Sequence, residues 1–179
     1  SDYYQNNALR RESIMVSFQN AFDITKSIHL HVTPYFRWVD AYYNGQQILD
    51  PNSLYVGTEK VAISQTGKTS VASTAQNPQM FGGINSYFEF DLTKRNHLTF
   101  GYWYDNSTQS NTTPLSLLSA DGLPSNAEGG SPLRTVDGRI VEGTNFNVSA
   151  QINELYIQDT QEFFNGKLKL SAGFKEYMY

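Results

Sequence analysis

The three histidines of the chain are the residues whose types and spacing point most directly to chemistry. His29 and His31 alternate along one predicted strand and so project from one face, and His97 lies on the same side of a neighbouring predicted hairpin. Imidazole nitrogens are common ligands of zinc and related metals, so this placement could form a metal site. The alternative is that the histidines simply line a polar interior. We expect that second arrangement, with no metal site and no cofactor.

A pair of carboxylates has the same two interpretations, a functional site or part of a polar interior. Glu89 and Asp91 project together from one predicted strand, as an acid and base pair would. Several cations are predicted on the same inward face, and together they would form a lattice of charges: Arg37, Lys167, Lys169 and Lys175. We expect this lattice and not a catalytic pair.

The remaining motifs do not favour an enzyme either. Gly67, Lys68 and Thr69 resemble the end of a phosphate-binding loop, but the glycine required five positions earlier is Ala62. No order of residues along the chain supports a Ser-His-Asp or metallohydrolase site. We therefore expect no catalytic residues.

Long alternating segments must position these side chains. From Ile14 to Ile24 the even positions are mainly apolar and the odd positions mainly polar, which is the period of a half-buried strand. The pattern predicts six strands, at 11–24, 28–43, 79–92, 97–106, 146–163 and 167–179. Short polar turns join them into three antiparallel hairpins.

Two irregularities interrupt this pattern. Pro34 lies inside the second predicted strand, where its missing amide predicts an edge or a bulge. The alternation shifts between Ile152 and Leu155, which predicts a bulge near Asn153 and Glu154.

Two long connections separate the hairpins, at 44–78 and 107–145. Short turns at one end of the strands and long loops at the other are typical of outer-membrane β-barrels. Within these loops, Asp137–Gly138 and the segment Gly57 to Lys60 predict local hairpins. We therefore interpret both connections as folded extracellular loops.

Composition is compatible with this fold class. The net charge of −4 argues against a general nucleic-acid binder, and the absence of cysteine excludes disulfides and thiolate chemistry. A mean hydropathy of −0.47 fits a transmembrane barrel, because its strands alternate lipid-facing and lumen-facing residues. The first residues, SDYYQNN, contain no signal peptide, so we expect that processing or truncation removed it. Six strands cannot close a barrel, so we expect one segment of a larger one.

Four segments carry a resemblance to a known family. Leu155-Tyr156-Ile157-Gln158-Asp159 and Leu168-x-Leu170-x-x-Gly173-Phe174-Lys175 resemble barrel stretches of TonB-dependent outer-membrane receptors, as do Asn96–Gly101 and Phe81–Gly83. The resemblance covers roughly Ser13 to Tyr179. It implies the middle part of a 22-stranded barrel in a Gram-negative outer membrane. It also implies a plug and a TonB box outside this chain, with import driven by the TonB-ExbB-ExbD complex.

The hypothesis that follows is uptake of a scarce small ligand, most often a ferric siderophore in that family. Aromatic and arginine side chains suit an organic ligand or a metal chelate, because they offer stacking faces and fixed donors. The expected binding residues lie in the loops and at the barrel mouth: Tyr42, Tyr55, Trp103, Asp105 and Arg134. The alternatives are a passive porin, an outer-membrane hydrolase, and a soluble β-rich module that binds carbohydrate or mediates adhesion.

Overall fold

The structure is a computed structural model that describes residues 8–56, 58–125 and 129–178, and the predicted all-β class is confirmed. Helical structure in these ranges consists of one 3-10 turn at Pro51–Ser53, and no helix in them has the length and apolarity to cross a membrane. The strands are β1 (Leu9–Ser17), β2 (Asn20–Thr25), β3 (Ile28–Leu49), β4 (Tyr55–Val56), β5 (Glu59–Lys60), β6 (Thr69–Gln76), β7 (Gln79–Thr93), β8 (Asn96–Leu117), β9 (Glu142–Phe163) and β10 (Leu168–Met178).

The strands follow one another through the main sheet largely in chain order. Both β1 and β2 pair with β3, and β3 pairs in turn with β6 and β7. Both β6 and β7 also pair with β8, which lies beside β9, and β9 pairs with β10. Only short turns join β2 to β3, β7 to β8 and β9 to β10, and connections this short join antiparallel strands. The main sheet therefore contains three successive hairpins.

The long strands extend beyond the predicted limits. β3 continues to Leu49, β8 continues to Leu117, β9 begins at Glu142, and β6 lies wholly inside the predicted first loop. The long connections are consequently 50–68 and 118–141, not 44–78 and 107–145. The predicted limits were wrong because these extensions are rich in Gly, Ser, Thr, Asn and Gln and lack clear alternation. Ladder hydrogen bonds join backbone groups and do not require apolar side chains.

Pro34 lies opposite a break in the neighbouring strand. β1 ends at Ser17 and β2 begins at Asn20, and between them the Phe18 amide donates to the Pro34 carbonyl at 3.1 Å. The Asn20 side-chain amide donates to the carbonyls of Phe18 and Val32, at 3.2 and 3.1 Å. The irregularity associated with the proline is thus an interruption of its partner strand, where a side chain supplies bonds that the ladder lacks.

The bulge predicted near Asn153 and Glu154 is absent from the pairing of β9 with β10. Asn153 pairs with Met178 and Glu154 with Tyr177, in a register that continues unbroken to Phe163. From Asn153 to Phe163 the prediction is therefore wrong, because the change in side-chain polarity at Glu154 occurs without a shift in this register.

Contacts divide the chain into two compact units. Ser13–Trp38, Met80–Thr108 and Ser149–Tyr179 form what we call the hairpin unit. The described residues up to Glu12, together with Val39–Gln79 and Gln109–Val148, form the loop unit.

The loop unit has a hydrophobic core of its own. Residues from strand extensions and from both long connections build it: Leu49, Ile63, Val71, Leu115, Leu133 and Val141, with Leu54 packed against them. Backbone hydrogen bonds join the two connections, including Val136 amide to Ala62 carbonyl at 2.9 Å. The long connections are therefore folded structure and not linkers, as the sequence predicted.

Both local hairpins predicted in these connections are present among the described residues. Tyr55 pairs with Lys60 and Val56 with Glu59, and the Gly138 amide donates to the Thr135 carbonyl at 2.9 Å. Gly138 has a φ of +91°, which favours glycine at this turn. Hydrogen bonds from the Arg139 guanidinium and the Thr135 hydroxyl lower the pKa of Asp137 to about 2. The carboxylate therefore stays ionised and holds the turn.

The hairpin unit has two chemically different faces. One, which we call the polar face, carries Tyr35, Glu89, Trp103, Glu154 and Lys175 at alternate positions of their strands. The residues between them form the apolar face, which includes Phe36 on β3, Phe88 on β7 and Phe174 on β10. The assignment of faces matches the alternation read from the sequence.

Two tyrosines lie across glycines of the neighbouring strand on the polar face. A Cβ atom added to Gly83 on β7 would stand 2.3 Å from the Tyr104 carbonyl oxygen and 2.5 Å from the Tyr35 hydroxyl, and one added to Gly101 on β8 would stand 2.0 Å from Cζ of Tyr156. No other residue type leaves this space, because only glycine lacks a Cβ. Gly82, adjacent to Gly83, has nothing within 4 Å of such an atom.

We predict that Gly83→Ala lowers the free energy of unfolding by about 1–3 kcal/mol, the usual cost of overpacking. Gly82→Ala is the matched control and should change stability by no more than about 1 kcal/mol, in the stabilising direction. Urea unfolding, followed by tryptophan fluorescence, measures both. Equal effects of the two substitutions would contradict the packing of Tyr35 over Gly83.

Candidate functional site

A buried hydrogen-bonded group joins β3 to β8 on the polar face. The Tyr35 hydroxyl donates to Oδ2 of Asp105 and accepts from the indole Nε1 of Trp103 at 2.9 Å. Asp105 is only 7% exposed, so its carboxylate depends on protein donors in place of water. Tyr35 therefore fixes both the carboxylate and the indole ring.

An open cavity of about 530 Å³ lies beside this group. Its volume falls within the range of pockets that hold drug-sized organic molecules. The lining combines ring faces, an amide and an ion pair: Asn85, Trp103, Glu154, Tyr156, Lys175 and Tyr177. Such a surface can stack against planar groups and donate or accept hydrogen bonds.

Tyr156 orients one wall of this cavity. Its ring crosses Gly101 on β8, and its hydroxyl donates to Oδ1 of Asn85 on β7 at 2.9 Å. The Nζ atom of Lys175 lies 5.7 Å from the centre of the same ring, within cation–π range. The ring is thus held at its edge, at its hydroxyl and over its face.

An ion pair supplies the charge of the cavity. Nζ of Lys175 lies 3.0 Å from Oε1 of Glu154, whose side chain is 5% exposed, whereas that of Lys175 is 59% exposed. Burial of a lone carboxylate is costly, so the lysine compensates Glu154 in this position. An ammonium has three donors, which leaves Lys175 able to bind a ligand oxygen from the open side.

The histidines form a second cluster on the polar face. Nδ1 of His97 lies 2.6 Å from Oδ1 of Asp91, and Nε2 of His29 lies 3.6 Å from the other oxygen of that carboxylate. Nε2 of His31 lies 3.6 Å from Oε2 of Glu89, and its ring stacks on Tyr87 with centroids 4.5 Å apart. All three histidines of the chain therefore lie next to carboxylates.

The residues predicted from the sequence to bind a ligand do not form a single site. Trp103 and Asp105 come together through Tyr35, and Trp103 lines the large cavity. Tyr42 lines another cavity, of about 290 Å³, within the loop unit. Tyr55 is exposed on β4, and Arg134 donates from Nη1 to the Gly138 carbonyl at 2.8 Å. Arg134 therefore supports the turn beside it.

Sequence reasoning missed Tyr35, Tyr156 and the Glu154–Lys175 pair as members of the site. The available signal was the glycines of β7 and β8, since a glycine inside a strand often marks the close approach of another group. Gly83 and Gly101 mark the two positions that the tyrosine rings cross. The partner of each glycine became visible only when the strand register was known.

We predict that Tyr35→Phe lowers the free energy of unfolding by about 1–3 kcal/mol, because the buried Asp105 carboxylate and the Trp103 indole each lose a partner. Tyr102→Phe is the matched control, because the Tyr102 hydroxyl on β8 donates to Oδ1 of Asn153 on β9 in an exposed position. The control should cost less than about 1 kcal/mol. Urea unfolding compares the two, and a larger loss for Tyr102→Phe would contradict the prediction.

Comparisons of the chain with known proteins add nothing to the description of this site. No family model, curated protein or solved structure matches the chain. The two faces of the hairpin unit and the cavity on one of them are therefore the features that bear on function.

Proposed function

We propose that this chain is a transmembrane β-barrel segment of a TonB-dependent outer-membrane receptor that takes up a small organic ligand or metal chelate of the ferric siderophore class. The observation that carries the proposal is the inverted exposure of the two faces. Phe174 on the apolar face is 63% exposed, whereas Glu154 and Asp105 on the polar face are 4% and 7% exposed. A lipid-embedded barrel requires this inversion, because its outer surface meets hydrocarbon.

The exposed apolar surface is extensive. It includes large side chains from every strand of the hairpin unit between β2 and β10: Phe22, Ile24, Phe36, Phe88, Leu92, Phe100, Leu155, Ile157, Leu168, Leu170 and Phe174. Contiguous exposed apolar surface of this kind marks an interaction site on a soluble protein. Acyl chains are the partner that fits a surface distributed over successive strands.

Strand length supports the same proposal. The part of β3 that lies in the hairpin unit, Ile28 to Trp38, contains eleven residues. A transmembrane strand needs about 9–11 residues when it is tilted by about 45°. The alternating segment is therefore long enough to cross the hydrocarbon core.

The cavity on the polar face supports ligand capture. Its rings and its compensated ion pair suit a polar organic molecule with planar groups and several oxygen atoms, a description that fits siderophore-type chelators. The coupling to TonB rests on the resemblance of the β9 and β10 segments to receptor barrels. A passive porin would share the strands but would need no energised partner.

The two tryptophans of the chain give a direct test of the membrane assignment. Trp38 alternates with Phe36 on the apolar face, and Trp103 lies on the polar face. In liposomes with brominated lipids, we expect strong fluorescence quenching of Trp38 and little quenching of Trp103. Each sample contains a single tryptophan. The variant Trp103→Phe keeps Trp38, the variant Trp38→Phe keeps Trp103, and any further tryptophan of the intact protein is replaced by Phe. Absence of quenching for Trp38 would instead favour the soluble module.

Uptake of a radiolabelled ferric siderophore by cells tests the transport proposal. We expect uptake to require this protein and to fall to background when TonB is deleted. Lys175→Gln should weaken binding to isolated outer membranes by about 10-fold or more, because it removes a charged donor from the cavity. Lys167→Gln, a substitution of a lysine outside that lining, is the matched control. Uptake that persists without TonB would identify a passive porin.

A further inference from the structure

The turn between β7 and β8 brings together three side chains that can ligate one metal ion. Glu89 and Asp91 occupy alternate positions of β7, and His97 is the second residue of β8. One ligand atom from each residue lies within 4.8 Å of the others, which is close to the spacing of donors around a single cation. From this juxtaposition we propose that Glu89, Asp91 and His97 bind a divalent first-row transition-metal cation of the zinc class.

The sequence creates this arrangement through register. A strand period of two places Glu89 and Asp91 on the polar face, and the short turn at Lys94 and Arg95 returns the chain so that His97 faces them. His97 already contacts Asp91, with Nδ1 and Oδ1 2.6 Å apart. The ligand atoms are thus held together by backbone pairing, and little reorganisation is needed to close them around an ion.

The other two histidines support the carboxylates from β3. His29 lies between Asp23, 2.6 Å from Nδ1, and Asp91, 3.6 Å from Nε2. His31 lies 3.6 Å from Glu89 and is fixed by its stacking on Tyr87. Polar groups beside ligating carboxylates orient them and tune metal affinity, so His29 and His31, each with Nε2 3.6 Å from a carboxylate oxygen, are positioning residues.

The donor set selects the class of cation. Two carboxylates and a neutral imidazole carry a total charge of −2, which a divalent cation neutralises. An imidazole nitrogen favours zinc, copper or nickel over calcium and magnesium, which prefer oxygen ligands. The three side chains are all partly exposed, so water can complete the coordination sphere.

This site is separate from the aromatic cavity. Its residues do not overlap with the lining of that cavity, and its existence does not depend on the proposed transport function. It would equally be present if the protein were a porin.

Calorimetric titration of the intact, chelator-stripped protein in detergent with ZnCl₂, CaCl₂ and MgCl₂ tests the proposal. We expect one zinc ion per chain at this site and no measurable affinity for calcium or magnesium. His97→Gln and Asp91→Asn should each lower zinc affinity by about 100-fold or more, and His31→Gln by about 10-fold, the scale of an outer-shell loss. Asp121→Asn is the matched control and should leave affinity unchanged, because Asp121 belongs to the loop unit, where its carboxylate accepts from the Ser119 hydroxyl.

Electron paramagnetic resonance of bound Cu²⁺ provides a second readout. The spectrum should show coupling to one imidazole nitrogen, and His97→Gln should remove that coupling while far-UV circular dichroism stays native. If His97→Gln does not fold, Glu89→Gln replaces it as the deciding variant in the zinc titration, where it should also lower zinc affinity by about 100-fold or more. Unchanged zinc affinity in both His97→Gln and Asp91→Asn, or equal affinity for zinc and magnesium, would overturn the proposal.

Discussion

Two tyrosine rings that cross glycines in opposite directions set the geometry of the polar face. Tyr35 extends from β3 over Gly83 to reach β8, and Tyr156 extends from β9 over Gly101 to reach Asn85 on β7. Each ring therefore joins three strands and needs a missing Cβ at one position of the middle strand. A slip of one residue in the register would place Phe100 or Tyr102 under the Tyr156 ring and would move every side chain to the opposite face.

Because the register is fixed, charge and hydrocarbon remain separated across the hairpin unit. The polar face can bury Glu154 only because Lys175 accompanies it, and Asp105 only because Tyr35 donates to it. The apolar face has no comparable cover within the described residues and remains exposed at Phe36, Phe100 and Phe174. A soluble sheet would bury that face first, since its burial is the main source of stability in water. The exposure of that face is the premise of the proposed membrane location.

The sequence predicted the all-β class and the two faces, because a period of two is a local property that each strand shows by itself. It failed where the information is not local. The extensions of β3 and β8 lack alternation and are defined by their pairing partners, and the change of polarity at Glu154 occurs without a shift in the pairing of β9 with β10. Among the expected binding residues, Trp103 and Asp105 were found together because they alternate on one strand. Tyr35 and Tyr156 were missed because their contacts cross two strands, which only the register reveals.

The β7–β8 hairpin supplies residues to both sites on the polar face, yet the two sites are physically separate. Glu89, Asp91 and His97 lie near its turn, and Trp103 lies six residues beyond His97 on β8. At about 3.3 Å per residue, those six steps cover about 20 Å, which is too far for one ligand to contact a metal at the turn and the ring of Trp103 together unless it is extended. A cation near the turn would therefore act on the hairpin itself, by neutralising two adjacent carboxylates that repel each other. The proposed ligand of the cavity would therefore bind independently of such a cation.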